Sequence, residues 1–346
     1  MEQNRIAVWH EALLLPGETD LVESGLRELA EYFGITREEA LRQCEDALAE
    51  SKREWESSSR QTAEQIKDFY RSTRSYIFEH IWWHATDVET NSANVEILNY
   101  AQNRRAGEYL DFGSGVGSNA ILFASRGFNV TLADISPPMM EFARWRLQRR
   151  GINTELIDLN RRSLPAGRFD FVTAVDVCEH LPCPEEELKQ ISQAMKDGGA
   201  LIFNYRAGED VERPMHILKT AHPILRALRS CGLRTVETDT EQLRRLEFHT
   251  VEKISQSKLK GHWFNAYDRL RYSQFFTPGQ QTANGHRPPH PQRIYFERIE
   301  KLLQPQTHWL DVGCGRQLVP WWMSRQAQIE ADLVSRAASF ACAIEA

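Results

Sequence analysis

"YLDFGSGVGS", residues 109–118, decides the fold. Gly113, Gly115 and Gly117 stand on alternate positions behind a short apolar run carrying Asp111. Glycine accepts left-handed backbone and leaves no Cβ between the chain and a ligand. "SNAILFASRG" then reads as a helix closed by Gly127. Strand, glycine turn and helix in that order present bare backbone at a helix N-terminus, where a ligand can approach closely.

Working outward, the alternation continues. "FNVTLAD" reads as a second strand, and "SPPMMEFARWRLQRRG" as a helix with prolines at its start and Gly151 past its end. "NTELIDL" and "FDFVTAVDV" are further strands. "PEEELKQISQAMKDGG" is a predicted helix running from Pro184 into two glycines, followed by strand "ALIFNY". "PMHILKTAHPILRALRSCG" predicts another helix, and "LRTVETD" and "RLEFHTVEKI" are candidate strands. Strands alternating with helices of ten to fifteen residues mean βαβ units. The expected class is therefore α/β: a Rossmann-like, mostly parallel sheet with helices on both faces.

Residues 1–106 have a different texture and predict a helical N-terminal cap. "TREEALRQCEDALAE" opens with a capping-box pattern, Thr36 to Glu39, and "TAEQIKDFYRSTRSYIFEHIWWHA" is rich in aromatics. Residues 107–255 form the predicted core, and 256–295, rich in Gly, Pro and His, a linker. Residues 296–346 hold a second, poorer copy of the motif, "WLDVGCGRQL" at 309–318. It keeps Asp311, Gly313 and Gly315 but has Gln317 in the third glycine's place, and Glu345 is a candidate acid ending its second strand. Two strands cannot supply a core. This stretch is expected to be a partial α/β unit without activity, a piece of a tandem arrangement or a docking element.

Composition narrows the class. The chain has 346 residues, a net charge of −6 and six scattered cysteines without a CxxC pair. That suits reduced thiols rather than a disulfide framework or a zinc site, and no metal site is expected. No apolar run approaches a membrane span, and the N-terminus lacks signal-peptide features. A soluble, cytoplasmic protein is expected, with neither nucleic acid nor membrane as partner.

The order and spacing over 107–205 resemble the class I S-adenosylmethionine-dependent methyltransferases, in their small-molecule branch, which includes quinone-biosynthesis enzymes. "EYLDFGSGVGS" resembles that family's first motif, "RFDFVTAVDVCEHL" its fourth-strand motif and "MKDGGALIF" its turn into the fifth strand. The resemblance implies S-adenosylmethionine as cofactor and a small-molecule methyl acceptor as partner. It implies cofactor contacts at Asp111, Gly113, Ser114, Gly115 and Gly117. Asp134, in the ribose-binding place, joins them with Ile135. Asp158, in the adenine-binding place, does so with Leu159 and Asp176. His180, after the fourth strand, is the first candidate base, and His216 the second. Tyr70, Tyr76, Trp82 and Trp83 are candidate walls of the acceptor site, through cation–π attraction to a sulfonium. Arg144, Arg146, Arg149 and Arg150 are expected on a solvated helix face.

A nicotinamide-dependent oxidoreductase needs G-x-G-x-x-G, and Ser118 stands where its third glycine belongs. A non-catalytic cofactor-binding interaction module is the rival from another class. Cys183 lies in a Pro-Cys pair like that of the cytosine methyltransferases, but "PEEEL" follows it, so an N-cap role fits better.

Overall fold

A computed structural model describes residues 2–104, 107–236 and 240–254, all within one compact unit. The predicted linker, the second glycine motif and Glu345 lie outside the described residues. Six helices come first: α1 (Glu2–Leu13), α2 (Leu21–Phe33), α3 (Arg37–Ser57), α4 (Ala63–Ser72), α5 (Ser75–Thr86) and α6 (Val88–Asn103). The alternating region follows as β1 (Glu108–Phe112), α7 (Ser118–Ala124), β2 (Asn129–Asp134), α8 (Pro137–Arg149), β3 (Glu155–Asp158) and β4 (Phe169–Ala174). It continues through α9 (Pro184–Ala194), β5 (Met195–Phe203), α10 (His222–Ser230), β6 (Leu233–Val236), α11 (Glu241–Arg245) and β7 (His249–Lys253).

The seven strands run in the order β3-β2-β1-β4-β5-β7-β6. Pairings from β3 to β5 are parallel, and β7 lies antiparallel between β5 and β6. That inserted strand separates this sheet from the dinucleotide-binding order 3-2-1-4-5-6. Strand alternation sends Tyr109, Phe171 and Ile202 into one buried cluster, with α1, α6, α7 and α8. Leu110, Val172 and Leu201 enter the other, with α9 and α10. Both faces are covered, as a parallel sheet requires.

Four local expectations are corrected. Helix α9 stops at Ala194, and "MKDGG" opens β5 instead. There Phe169 pairs with Met195 but Phe171 with Ala200, so β5 bulges between. A Cβ on Gly199 would lie 3.0 Å from the Phe169 carbonyl oxygen and 2.9 Å from that of Lys196. Second, α10 begins only at His222, and residues 213–221 form a loop pinned by Ile217 N–H donating to the Glu179 carbonyl at 2.8 Å. Third, Thr36 caps the Glu39 N–H, but the Glu39 carboxylate turns to Arg42 and Gln43. The reciprocal capping box is Thr62–Gln65. Fourth, Arg146 is buried, 3% exposed, against Glu28 of α2, a partner that only tertiary packing supplies. No helix among the described residues is long and apolar enough to cross a membrane.

Candidate functional site

The carboxyl ends of the parallel strands open into a cavity of about 380 Å³, covered by α4, α5 and α6. Its floor is the turn after β1. Gly113, Gly115 and Gly117 all have positive φ (69°, 51° and 76°). A Cβ on Gly113 would meet Val177 at 2.5 Å, and one on Gly115 would meet His80 Nδ1 at 2.8 Å. Gly117 does not face the cavity; it caps α7, and a Cβ there would stand 3.3 Å from the side chains of Ala143 and Leu132.

Two acids lie at the carboxyl ends of the first two strands, Asp111 one residue before the end of β1 and Asp134 as the last residue of β2. Asp134, 8% exposed, accepts the Gly115 N–H on Oδ2 at 2.9 Å and the Ser136 N–H on Oδ1 at 2.8 Å. Burial raises its carboxyl above the ordinary value, against the pull of those N–H groups. Asp111 accepts the Thr173 hydroxyl on Oδ1 at 3.2 Å, while Oδ2 has no partner. Burial, with the nearby Asp134 charge adding to it, pushes Asp111 up to about 7. Ser114 Oγ, Asn119 Oδ1 and Asn94 Oδ1 are likewise buried without partners, and all three residues line the cavity. Such atoms are costly unless something pairs with them.

Ile135 and Leu159 line the cavity, but Asp158 does not. Its carboxylate accepts the Asn160 N–H at 2.9 Å and pairs with Arg161, and Asn160 takes its place at the wall. Asp176 does line the cavity, in a left-handed conformation (φ 52°) held by reciprocal 2.7 Å hydrogen bonds with Asn204.

Beyond β4, a 3-10 turn over Cys178–His180 brings His180 into the cavity, and the 213–221 loop brings His216. The two rings lie 4.9 Å apart between centroids, edge to face. His180 Nδ1 is 3.1 Å from the Tyr70 hydroxyl and 3.2 Å from the Met215 carbonyl oxygen. Burial, reinforced by His216, takes His180 down to about 3, so it is neutral. His216 Nδ1 stands 2.8 Å from Asp210 Oδ2, and burial lowers its pKa while that carboxylate opposes the fall. Burial next to Asp176 pushes Glu179 up to about 8. Glu179, His180 and His216 offer ligand atoms within 4.8 Å of one another, a set able to take a divalent ion that the sequence reading did not foresee.

Of the four expected aromatics, Tyr70, Tyr76 and Trp83 line the cavity; Trp82 packs into the α2–α3–α5 core instead. Neighbours on a helix point about 100° apart. Tyr76 stacks on both Tyr70 and His80. His80 and His84, also in the wall, went unnoticed in the sequence, although their i, i+4 spacing from Tyr76 places them on one face.

Residues 83–264, just over half of the chain, match a family model described as a methyltransferase domain. The chain belongs to this family. Among curated proteins, this methyltransferase-domain chain is 31% identical over 97 residues to the ubiquinone biosynthesis O-methyltransferase of Coxiella burnetii (strain Dugway 5J108-111), covering 28% of this chain and 42% of the relative. It is 27% identical over 136 residues to the enzyme of that name from Aromatoleum aromaticum (strain DSM 19018 / LMG 30748 / EbN1), covering 36% and 57%. The chain thus spans 42% to 57% of these relatives' length. Similar solved structures include Haemonchus contortus phosphoethanolamine N-methyltransferase 2 in complex with S-adenosyl-L-methionine (17% identity, TM-score 0.38, 55% of this chain and 60% of that one). Another is N-methyltransferase NodS from Bradyrhizobium japonicum WM9 (15%, TM-score 0.40, 49% and 99%).

The cofactor of this family is S-adenosylmethionine, and the residues of the cavity fit it. Side-chain-free backbone at Gly113 and Gly115, the Asp134 carboxylate and the unpartnered buried atoms around Asp111 suit a molecule with ribose hydroxyls and a charged amino-acid end.

Proposed function

We propose that the protein methylates a hydroxyl group of a small aromatic acceptor, with His216 as the base. The Asp210–His216 contact carries this reading. His216 Nδ1 lies in ion-pair range of the Asp210 carboxylate, 2.8 Å away though without an aligned hydrogen bond, which leaves Nε2 as the nitrogen to accept a proton. The sequence favoured His180, but its deep burial makes that ring a weak base. His180, fixed by Tyr70 and the Met215 carbonyl, acts instead to orient the acceptor.

When bound, S-adenosylmethionine supplies an electrophilic methyl group on a sulfonium sulfur. The chain does the rest. Asp134 has acceptor capacity left for ribose hydroxyls after binding its two backbone N–H groups. Tyr70 and Tyr76 exclude water and offer aromatic surface to an acceptor ring and to the sulfonium. His216 would take the acceptor's proton as the O–C bond forms and the sulfonium S–C bond breaks, the electron pair remaining on sulfur, and Asp210 would stabilise the resulting imidazolium. Holding the partners in line supplies most of the acceleration. The name of the Coxiella relative, an O-methyltransferase of ubiquinone biosynthesis, supports oxygen as the attacking atom and a hydroxylated benzenoid ring as acceptor.

The test is S-adenosylhomocysteine formation with a panel of catechols, phenols and size-matched amines. Product from a hydroxylated ring, with kcat about 10²- to 10⁴-fold lower in His216→Ala, is expected. Turnover with amines alone would refute the reading. The Glu179–His180–His216 set supports a second reading, in which a divalent cation polarises the acceptor oxygen. Complete loss of turnover in EDTA, restored by added cation, would favour it.

A further inference from the structure

We infer that the N-terminal helices are a built part of the cofactor site, with Arg146 as the positioning residue of the glycine turn. The inference rests on the cofactor reading above. Arg146, from α8, lies behind the turn. Its Nη1 donates to the Val116 carbonyl at 2.8 Å and to Ser118 Oγ at 3.0 Å, and its Nε donates to Glu28 Oε2 at 2.9 Å. Val116, the residue between Gly115 and Gly117, does not line the cavity and neither does Arg146, whereas Ser118 does, so the guanidinium holds the turn at its middle and at its exit into α7. In front of the turn stands His80 of α5, close enough to Gly115 that a Cβ there would collide with it. The turn is clamped between two elements, one reached through α2 and the other belonging to α5.

Chemistry makes the clamp dependent on α2. A buried guanidinium is tolerated when a carboxylate neutralises it, and Glu28, 1% exposed, is that carboxylate. Its other oxygen takes Arg150, whose Nη2 donates to the Leu13 carbonyl of α1 at 2.7 Å. Helices α2 and α5 are themselves in close contact: a Cβ on Gly25 would stand 2.7 Å from Ile81 Cγ2. Three positive-φ glycines have little preference of their own for one conformation. The turn is therefore held by what lies on either side of it. The forked guanidinium reaches two acceptors and the carboxylate together, which a lysine ammonium, a single point charge, does poorly.

The experiment titrates S-adenosylhomocysteine calorimetrically into the full chain as wild type, Arg146→Lys and the double variant Glu28→Met/Arg146→Leu. The double variant removes the Arg146–Glu28 pair together, while Arg150, which loses Glu28, keeps its bonds to the Leu13 and Arg146 carbonyls. Circular dichroism and thermal melting establish that each is folded. The expected result is at least a tenfold weaker affinity in both variants, with turnover showing a larger change in KM for S-adenosylmethionine than in kcat. A folded variant that melts lower yet binds with wild-type affinity overturns the clamp, because a merely stabilising ion pair would behave that way. Where the double variant fails to fold, Arg146→Lys alone is read by the same criterion. Failure of the wild type itself to bind would instead remove the cofactor reading on which the clamp depends.

Discussion

Replacing Asp134 by asparagine changes one atom and tests the cofactor site directly. The carboxylate now serves two backbone donors, Gly115 N–H at 2.9 Å and Ser136 N–H at 2.8 Å, one on each oxygen. Asparagine presents one oxygen and one NH2, so one of those N–H groups must face another donor in a buried place. A hydrogen bond to a charged acceptor contributes about 1.5–3 kcal/mol. Spread over a domain of this size, that loss lowers the melting midpoint by about 3–12 °C. The same change removes an acceptor from the ribose hydroxyls, and a second loss of about 1.5–3 kcal/mol weakens binding about 10- to 150-fold. Calorimetric titration with S-adenosylhomocysteine measures the affinity and differential scanning calorimetry the stability. A variant that binds within about threefold of wild type, whatever its melting point, would show that Asp134 serves only to pin the turn.

Three further outcomes follow from the same geometry. Asp111 has its pKa raised to about 7 by burial, so the folded chain holds this proton over a range where the unfolded chain has lost it. Its contribution to stability is full below about pH 4 and is lost as pH rises through about 7. Asp111→Asn should therefore melt higher than wild type at pH 8 and show no such gain at pH 4; equal gains at both would count against the buried carboxyl. Gly199→Ala should cost about 1–3 kcal/mol in urea unfolding, since its Cβ would press on backbone oxygens at 2.9 and 3.0 Å, and a neutral result would mean the β5 bulge relaxes freely. Tyr70→Phe removes a hydroxyl that donates to the Met215 carbonyl at 2.9 Å and meets His180 at 3.1 Å. A loss near 1 kcal/mol lowers kcat about fivefold, and an unchanged kcat would separate this pair from the reaction.

Much of the site was legible because its chemistry is local in the chain. The glycine turn, Asp134 and the 178–180 turn each follow directly from a strand end, and strand ends are visible as apolar runs. What escaped was contributed across the fold. Asn160 stands at the wall in place of Asp158 because the Asp158 carboxylate folds back to accept the Asn160 N–H, while the Asn160 amide donates to the Ile135 carbonyl. His216 lay within a stretch whose composition reads as helix, and its partner Asp210 becomes a partner only through the Arg213 turn, where the Arg213 N–H donates to Asp210 at 2.9 Å. Trp82 and Trp83 are indistinguishable by residue type; helix rotation alone sends one to the core and the other to the cavity.

By itself, the sequence determined the alternation of strands and helices, the parallel character of the sheet and the position of the glycine turn. These depend on hydrophobic periodicity and on backbone freedom at single residues, both properties of short segments. Tertiary structure alone decided which buried charges are neutralised, which histidine has a carboxylate behind it and which helices close over the turn. Burial and Coulomb energy depend on distance in space, and Glu28 with Arg146, or Tyr70 with His180, lie more than a hundred residues apart along the chain.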